Sequence, residues 1–131
     1  MNERPHVLYM EDHDDTRVVF ELMLRHAGFE VTSVPTAEEC VELAKSGRYD
    51  AILMDHVEPG SSDAKHCLAV REFDKDVPIL FFSAQAFPNE KEAAFRSGAS
   101  DYLVKPNDVD NLTDRVWKFV NERRARIRAD G

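Results

Sequence analysis

Three short apolar runs punctuate the chain: Val7-Leu8-Tyr9-Met10, Ala51-Ile52-Leu53-Met54 and Ile79-Leu80-Phe81-Phe82. Each is too short for a helix and carries no polar alternation, so each reads as a strand covered on both faces. Val31-Thr32-Ser33-Val34 alternates and reads as an edge strand, and Tyr102-Leu103-Val104 is a short fifth strand that stops before Pro106. Between these runs the apolar spacing lengthens to that of helices. Asp14 or Asp15 is placed to cap a helix with Val18, Val19, Leu22 and Met23 at its apolar positions, and Gly28 follows its end. Thr36-x-x-Glu39 is a capping box leading into Val41, Leu43 and Ala44, with Gly47 as the stop. A third helix is expected from Asp63 to Phe73, and Pro88-Asn89 opens a fourth through Ala93, Ala94 and Phe95 to Gly98. Pro106-Asn107-Asp108 starts the last, with Val109, Leu112, Val116, Phe119 and Val120 on one stripe.

Strand and helix therefore alternate five times. Parallel strands require such crossovers and a parallel sheet needs helices on both faces, which predicts an α/β fold. The expected architecture is a three-layer α/β/α sandwich around a five-stranded parallel sheet, doubly wound as (βα)5. At 131 residues the chain reads as one domain, with a core over about residues 6–120 and an Arg-rich helix end and tail over 121–131. No apolar run approaches the roughly 18 residues of a membrane span, and the polar amino terminus is unlike a signal peptide. Cys40 and Cys67 have no metal-ligand spacing and read as buried packing residues of a reduced, cytoplasmic protein.

Composition adds one constraint. With 25 acidic against 17 basic residues the formal charge is −8, which argues against generic binding to nucleic acid or to anionic membrane. It leaves open an acidic pocket that recruits a cation.

In open parallel sheets ligands bind beyond the carboxyl ends of the strands, where strand order reverses. Glu11 and Asp12 follow the first strand, Asp55 the third, Ser83 the fourth and Lys105 the fifth. Carboxylates gathered on one rim repel one another unless a cation sits among them, and oxygen ligands of this kind suit Mg²⁺. An ammonium and a hydroxyl opposite the metal complete a cradle for a phosphoryl group, with Asp55 its central carboxylate.

Four segments carry a family resemblance: Val7 to Asp12, Tyr49 to Asp55 with Pro59-Gly60 following, Pro78 to Ala84, and Gly98 to Pro106. In this order, each closing an expected strand, they resemble a response-regulator receiver domain of the CheY-like type, with flavodoxin-like topology. The resemblance implies that Asp55 accepts phosphate from the phosphohistidine of a sensor histidine kinase or a histidine phosphotransfer protein. It implies that Glu11, Asp12, Asp55 and the backbone carbonyl of Val57 hold Mg²⁺, that Lys105 and Ser83 meet phosphoryl oxygens, and that Tyr102 is an aromatic switch turning inward with Ser83. The surface of the fourth helix, fifth strand and fifth helix would then select a downstream protein, and it is also a candidate for homodimer contact. Such a protein is a phosphoacceptor signalling domain rather than an enzyme.

Rival readings make different demands on the same residues. A degenerate receiver acting as a binding module would be expected to lack Asp55 or Lys105. An aspartyl-nucleophile phosphatase would carry a second Asp where Val57 stands, and a flavin carrier would need a phosphate loop where Glu11 to Asp15 would repel one. The loop after Asp55 departs from the family pattern: Glu58 adds a carboxylate, and Asp63 stands where a glycine is usual. Val57 and Gln85 match positions that tune acyl-phosphate hydrolysis. His13 and His56 read as solvent-exposed, and Arg123, Arg124, Arg126 and Arg128 as a solvated helix end.

Overall fold

The computed structural model describes residues 4–56, 63–84 and 88–130. Along them strands and helices alternate: β1 (His6–Met10), α1 (Asp14–His26), β2 (Glu30–Val34), α2 (Ala37–Ala44), β3 (Ala51–His56), α3 (Asp63–Arg71), β4 (Ile79–Ser83), α4 (Pro88–Arg96), β5 (Asp101–Val104) and α5 (Leu112–Asp130). All strand pairs are parallel and the sheet order is β2-β1-β3-β4-β5. The chain leaves β1 toward one edge and returns to its other side as β3, so the reversal that opens a ligand crevice lies between β1 and β3.

Period-two alternation divides the apolar runs between two cores. Leu8, Met10, Ile52, Met54, Ile79, Phe81 and Tyr102 pack with Cys40 and Ala44 of α2, Cys67 and Val70 of α3, and Ala94 of α4. Their neighbours Val7, Tyr9, Ala51, Leu53, Leu80, Phe82 and Leu103 pack on the opposite face with Leu24 of α1 and Leu112, Val116 and Val120 of α5. This is the expected three-layer sandwich, and it explains why the strands are apolar at consecutive positions. Each fully buried side chain of this size contributes about 1.5–3 kcal/mol. Cys40 and Cys67 are buried free thiols, as expected.

Two helices differ from expectation. In α1 the core-facing line is Leu24, which is buried, with the partly buried Phe20 and, just past the helix, Ala27, whereas Val18, Val19 and Leu22 are more than half exposed. The helix carries two apolar stripes, and the edge-on packing of Phe20 against Phe82 of β4 decides which one faces the sheet. Its cap is His13 rather than Asp14 or Asp15: Nδ1 accepts the Thr16 N–H at 3.3 Å. The last helix begins at Leu112, because Asp108 is engaged in a turn instead. The Asp108 carboxylate accepts the Val104 N–H at 2.8 Å, and the Asp108 N–H donates to the Val104 carbonyl at 2.7 Å.

The Arg-rich segment continues α5 as far as Asp130, and Arg123 is not simply solvated: it lies 3.7 Å from Asp50. Near the amino ends of β4 and β5, Arg71 of α3 donates to the carbonyls of Gly98, Asp74 and Val77. Gly98 has φ +107°, and a Cβ there would lie 2.9 Å from the Arg71 Nε, so the glycine admits both the turn and the guanidinium.

Candidate functional site

Apart from tyrosines and cysteines, three polar or charged side chains are buried among the described residues, Glu11 at 0%, Asp55 at 1% and Ser83 at 5% exposure. All three stand at the carboxyl ends of β1, β3 and β4. Burying carboxylates is costly unless they are paired or bound, so their concentration at one rim demands a compensating partner. Lys105, just beyond β5, supplies part of it, with Nζ 2.7 Å from Asp55 Oδ2. The Lys105 N–H also donates to the Ser83 carbonyl at 2.8 Å, joining the ends of β4 and β5.

Three residues not singled out from sequence belong to this arrangement. The buried Tyr9 hydroxyl donates to the same Asp55 Oδ2 at 3.4 Å. Phe20 and Phe82 flank the Lys105 ammonium, which lies 5.2 Å and 4.9 Å from their ring centroids. Such cation–π contacts hold the charge in place at about 0.5–2 kcal/mol each. The signal for Tyr9 was its spacing: two positions before Glu11 on a strand, it shares that residue's face.

Asp55 Oδ1 and Glu11 Oε2 are buried without a hydrogen-bond partner among the described residues. The other Glu11 oxygen accepts the His13 N–H at 3.0 Å, and Arg17 of α1 donates to the Glu11 carbonyl at 2.9 Å. Burial pushes the Glu11 carboxyl up to about 9, and its contact with Asp55 adds to the effect. Burial, then the Asp55 charge, likewise raises the Tyr9 hydroxyl far above its ordinary value.

Two bare, buried carboxylate oxygens match the hard oxygen donors that Mg²⁺ prefers. Asp12 stands exposed on the rim, and among the described residues no three acidic, histidine or cysteine side chains converge as a metal cluster. The structure thus brings together Glu11, Asp55 and Lys105, with Ser83 buried beside them in the sheet. Tyr102 is already buried, packed against Phe81 at 5.9 Å between ring centroids. Val57, Glu58 and Gln85, and the side chains of His56 and Asp63, lie outside the described residues.

A carboxylate with one free oxygen, opposite an ammonium and a cation-ready partner, is equipped to accept a phosphoryl group. The family model for the response regulator receiver domain matches residues 7–117. The chain belongs to that family. Receiver domains are signalling modules of two-component systems, and this chain is similar to the transcriptional regulatory protein PrrA of Mycobacterium tuberculosis, at 34% identity over 119 residues. It is similar also to the cell cycle transcriptional regulator CtrA of Caulobacter vibrioides, at 34% identity over 114 residues. These matches cover 91% and 87% of this chain but only 51% and 49% of the regulators, so it spans about half the length of the curated relatives it matches.

Among solved structures, the receiver domain resembles that of the Pseudomonas aeruginosa sensor histidine kinase PA1611, which holds a magnesium ion in its active site cleft. The TM-score is 0.78 at 30% identity, covering 91% of this chain and 99% of that one. The Thermotoga maritima response regulator TrrA, in complex with Mg²⁺ and BeF, matches at TM-score 0.76 and 25% identity, covering 88% and 98%. The receiver fold expected from sequence is the observed one. No helix among the described residues is long and apolar enough to cross a membrane.

Proposed function

We propose that Asp55 is the phosphoacceptor of this receiver domain and that Glu11 and Asp55, with Asp12 at the rim and the Val57 carbonyl, hold Mg²⁺. The observation that carries this reading is the pair of buried, unpartnered oxygens Asp55 Oδ1 and Glu11 Oε2 beside the Lys105–Asp55 contact. In the transfer, a bond forms between an Asp55 oxygen and phosphorus as the phosphorus–nitrogen bond of a donor phosphohistidine breaks. The electron pair returns to the imidazole, which takes up a proton. When bound, Mg²⁺ would neutralise charge on the transferring group. Lys105 is held ready to exchange Asp55 for a phosphoryl oxygen, and Ser83 is the neutral donor for another.

The donor is a sensor histidine kinase or a histidine phosphotransfer protein. Its docking surface includes the exposed Val18, Val19 and Leu22 of α1, whose amino terminus adjoins the acidic rim. Output passes through Ser83 and Tyr102 to the α4–β5–α5 face, which meets a downstream protein or a second copy. Because Tyr102 is already inward, phosphorylation would bias the packing around it rather than drive it from solvent into the core.

The test is incubation with acetyl phosphate and Mg²⁺, comparing the protein with Asp55→Asn by intact mass. We expect a Mg²⁺-dependent gain of one phosphoryl group in the wild type alone. No gain, or an equal gain in the variant, overturns the reading.

A further inference from the structure

We propose, resting on Asp55 as the phosphoacceptor, that the Tyr9 hydroxyl is a leaving-group donor that shortens the life of the aspartyl phosphate. Asp55 is unevenly held: Oδ2 receives both Lys105 and Tyr9, and Oδ1 has no donor among the described residues. The two donors differ in freedom. Lys105 reaches Oδ2 on a four-carbon stem from beyond the end of β5, so it can turn to a phosphoryl oxygen. Tyr9 lies within β1, paired with Ser33 of β2 and Leu53 of β3, and its ring is fully buried. Its hydroxyl, for which Asp55 is the acceptor among the described residues, stays at the carboxyl group when Lys105 departs.

Hydrolysis of the acyl phosphate forms a bond from water oxygen to phosphorus and breaks the bond from phosphorus to the Asp55 oxygen. The water proton passes to the released phosphate or to solvent, and the bonding electron pair returns to Asp55. That charge spreads over both carboxylate oxygens. A donor fixed at Oδ2 therefore stabilises the departing carboxylate whichever oxygen carried the phosphorus. It acts on a group that becomes charged only as the bond breaks, so it accelerates the loss of phosphate more than it aids binding. The same hydrogen bond makes the resting carboxylate a weaker nucleophile, so removing it should not slow loading. A neutral donor at 3.4 Å supports an effect of roughly two- to tenfold.

The test compares the full chain with Tyr9→Phe, which keeps the ring in the core and removes only the oxygen. Both are loaded with acetyl phosphate and Mg²⁺, freed of the donor by rapid desalting, and followed by intact mass. We expect the variant's phosphate to decay roughly two- to tenfold more slowly. Its melting temperature should stay within a few degrees of wild type, and its Mg²⁺ affinity by calorimetry within about twofold, outcomes that separate the hydroxyl's role from damage to the fold or metal site. Equal or faster decay in the variant overturns the proposal. So does slower decay accompanied by a matching loss of Mg²⁺ affinity. A wild type that takes up no phosphoryl group brings down the phosphoacceptor reading itself, an outcome distinct from equal decay in two loaded proteins.

Discussion

Arg71, near the amino end of the sheet, and Asp55, at its carboxyl end, are both charged groups drawn into the protein. The Arg71 guanidinium donates to the carbonyls of Gly98, Asp74 and Val77, all within 3.1 Å. Nearby, the Asp50 carboxylate accepts the His6 N–H at 2.8 Å and faces Arg123. At the other end, Asp55 and Glu11 each keep an oxygen with no partner among the described residues, although both are more deeply buried. Charge whose hydrogen bonds are spent on the chain's own backbone fastens the fold. Arg123 Nε also lacks a partner among the described residues, but it is a single atom beside an ion pair, whereas two adjacent carboxylates with bonding capacity left over form a place where a cation can bind.

The sharpest way to break this contrast is to exchange the roles. Arg71→Ala should lower stability by about 2–3 kcal/mol, because it strands backbone carbonyls, while the folded protein still loads from acetyl phosphate at the wild-type rate. Asp55→Asn should do the opposite, abolishing loading while leaving metal-free stability at or above wild type. Urea denaturation and intact mass on the same two variants decide it.

A smaller effect is expected at the rim's margin. Leu22→Glu places a charge on the exposed stripe of α1 and should slow phosphotransfer from a phosphorylated histidine donor roughly tenfold by weakening docking. Loading from acetyl phosphate, which needs no docking surface, should be unchanged.

A pH dependence follows from the burial of Glu11. The Glu11 carboxyl is raised from an ordinary 4.5 to about 9 in the folded protein. The folded state therefore retains a proton that the unfolded chain releases above the lower value. The associated stability is fully present below about 4.5 and is lost as pH rises through about 9. Metal-free protein should become less stable across that window, and Mg²⁺ should bind more tightly as pH rises and the proton leaves. Glu11→Gln should flatten the dependence, as followed by urea denaturation in chelator at a series of pH values.

Much of this molecule was legible from residue order. The strands announced themselves because both faces are covered, and Glu11, Asp55, Ser83 and Lys105 because each follows a strand that had to end at the same rim. The phase of α1 was not legible. Val18, Val19 and Leu22 form as good a stripe as Phe20, Leu24 and Ala27, and only the contact of Phe20 with Phe82 chooses between them. The start of α5 was misplaced for a related reason: Asp108 suits a helix start by type, but its side chain is committed to Val104. Tyr9 sits inside an apolar run, where a ring reads as core, and only its spacing from Glu11 hints that its hydroxyl reaches the rim.

The backbone bond from Lys105 N–H to the Ser83 carbonyl has a mechanical consequence. It yokes the site's ammonium and hydroxyl to a single rigid link between the last two strands. Any shift of the backbone at Lys105 is therefore shared by the backbone at Ser83, so the two side chains are carried by one unit of the sheet rather than by two independent loops.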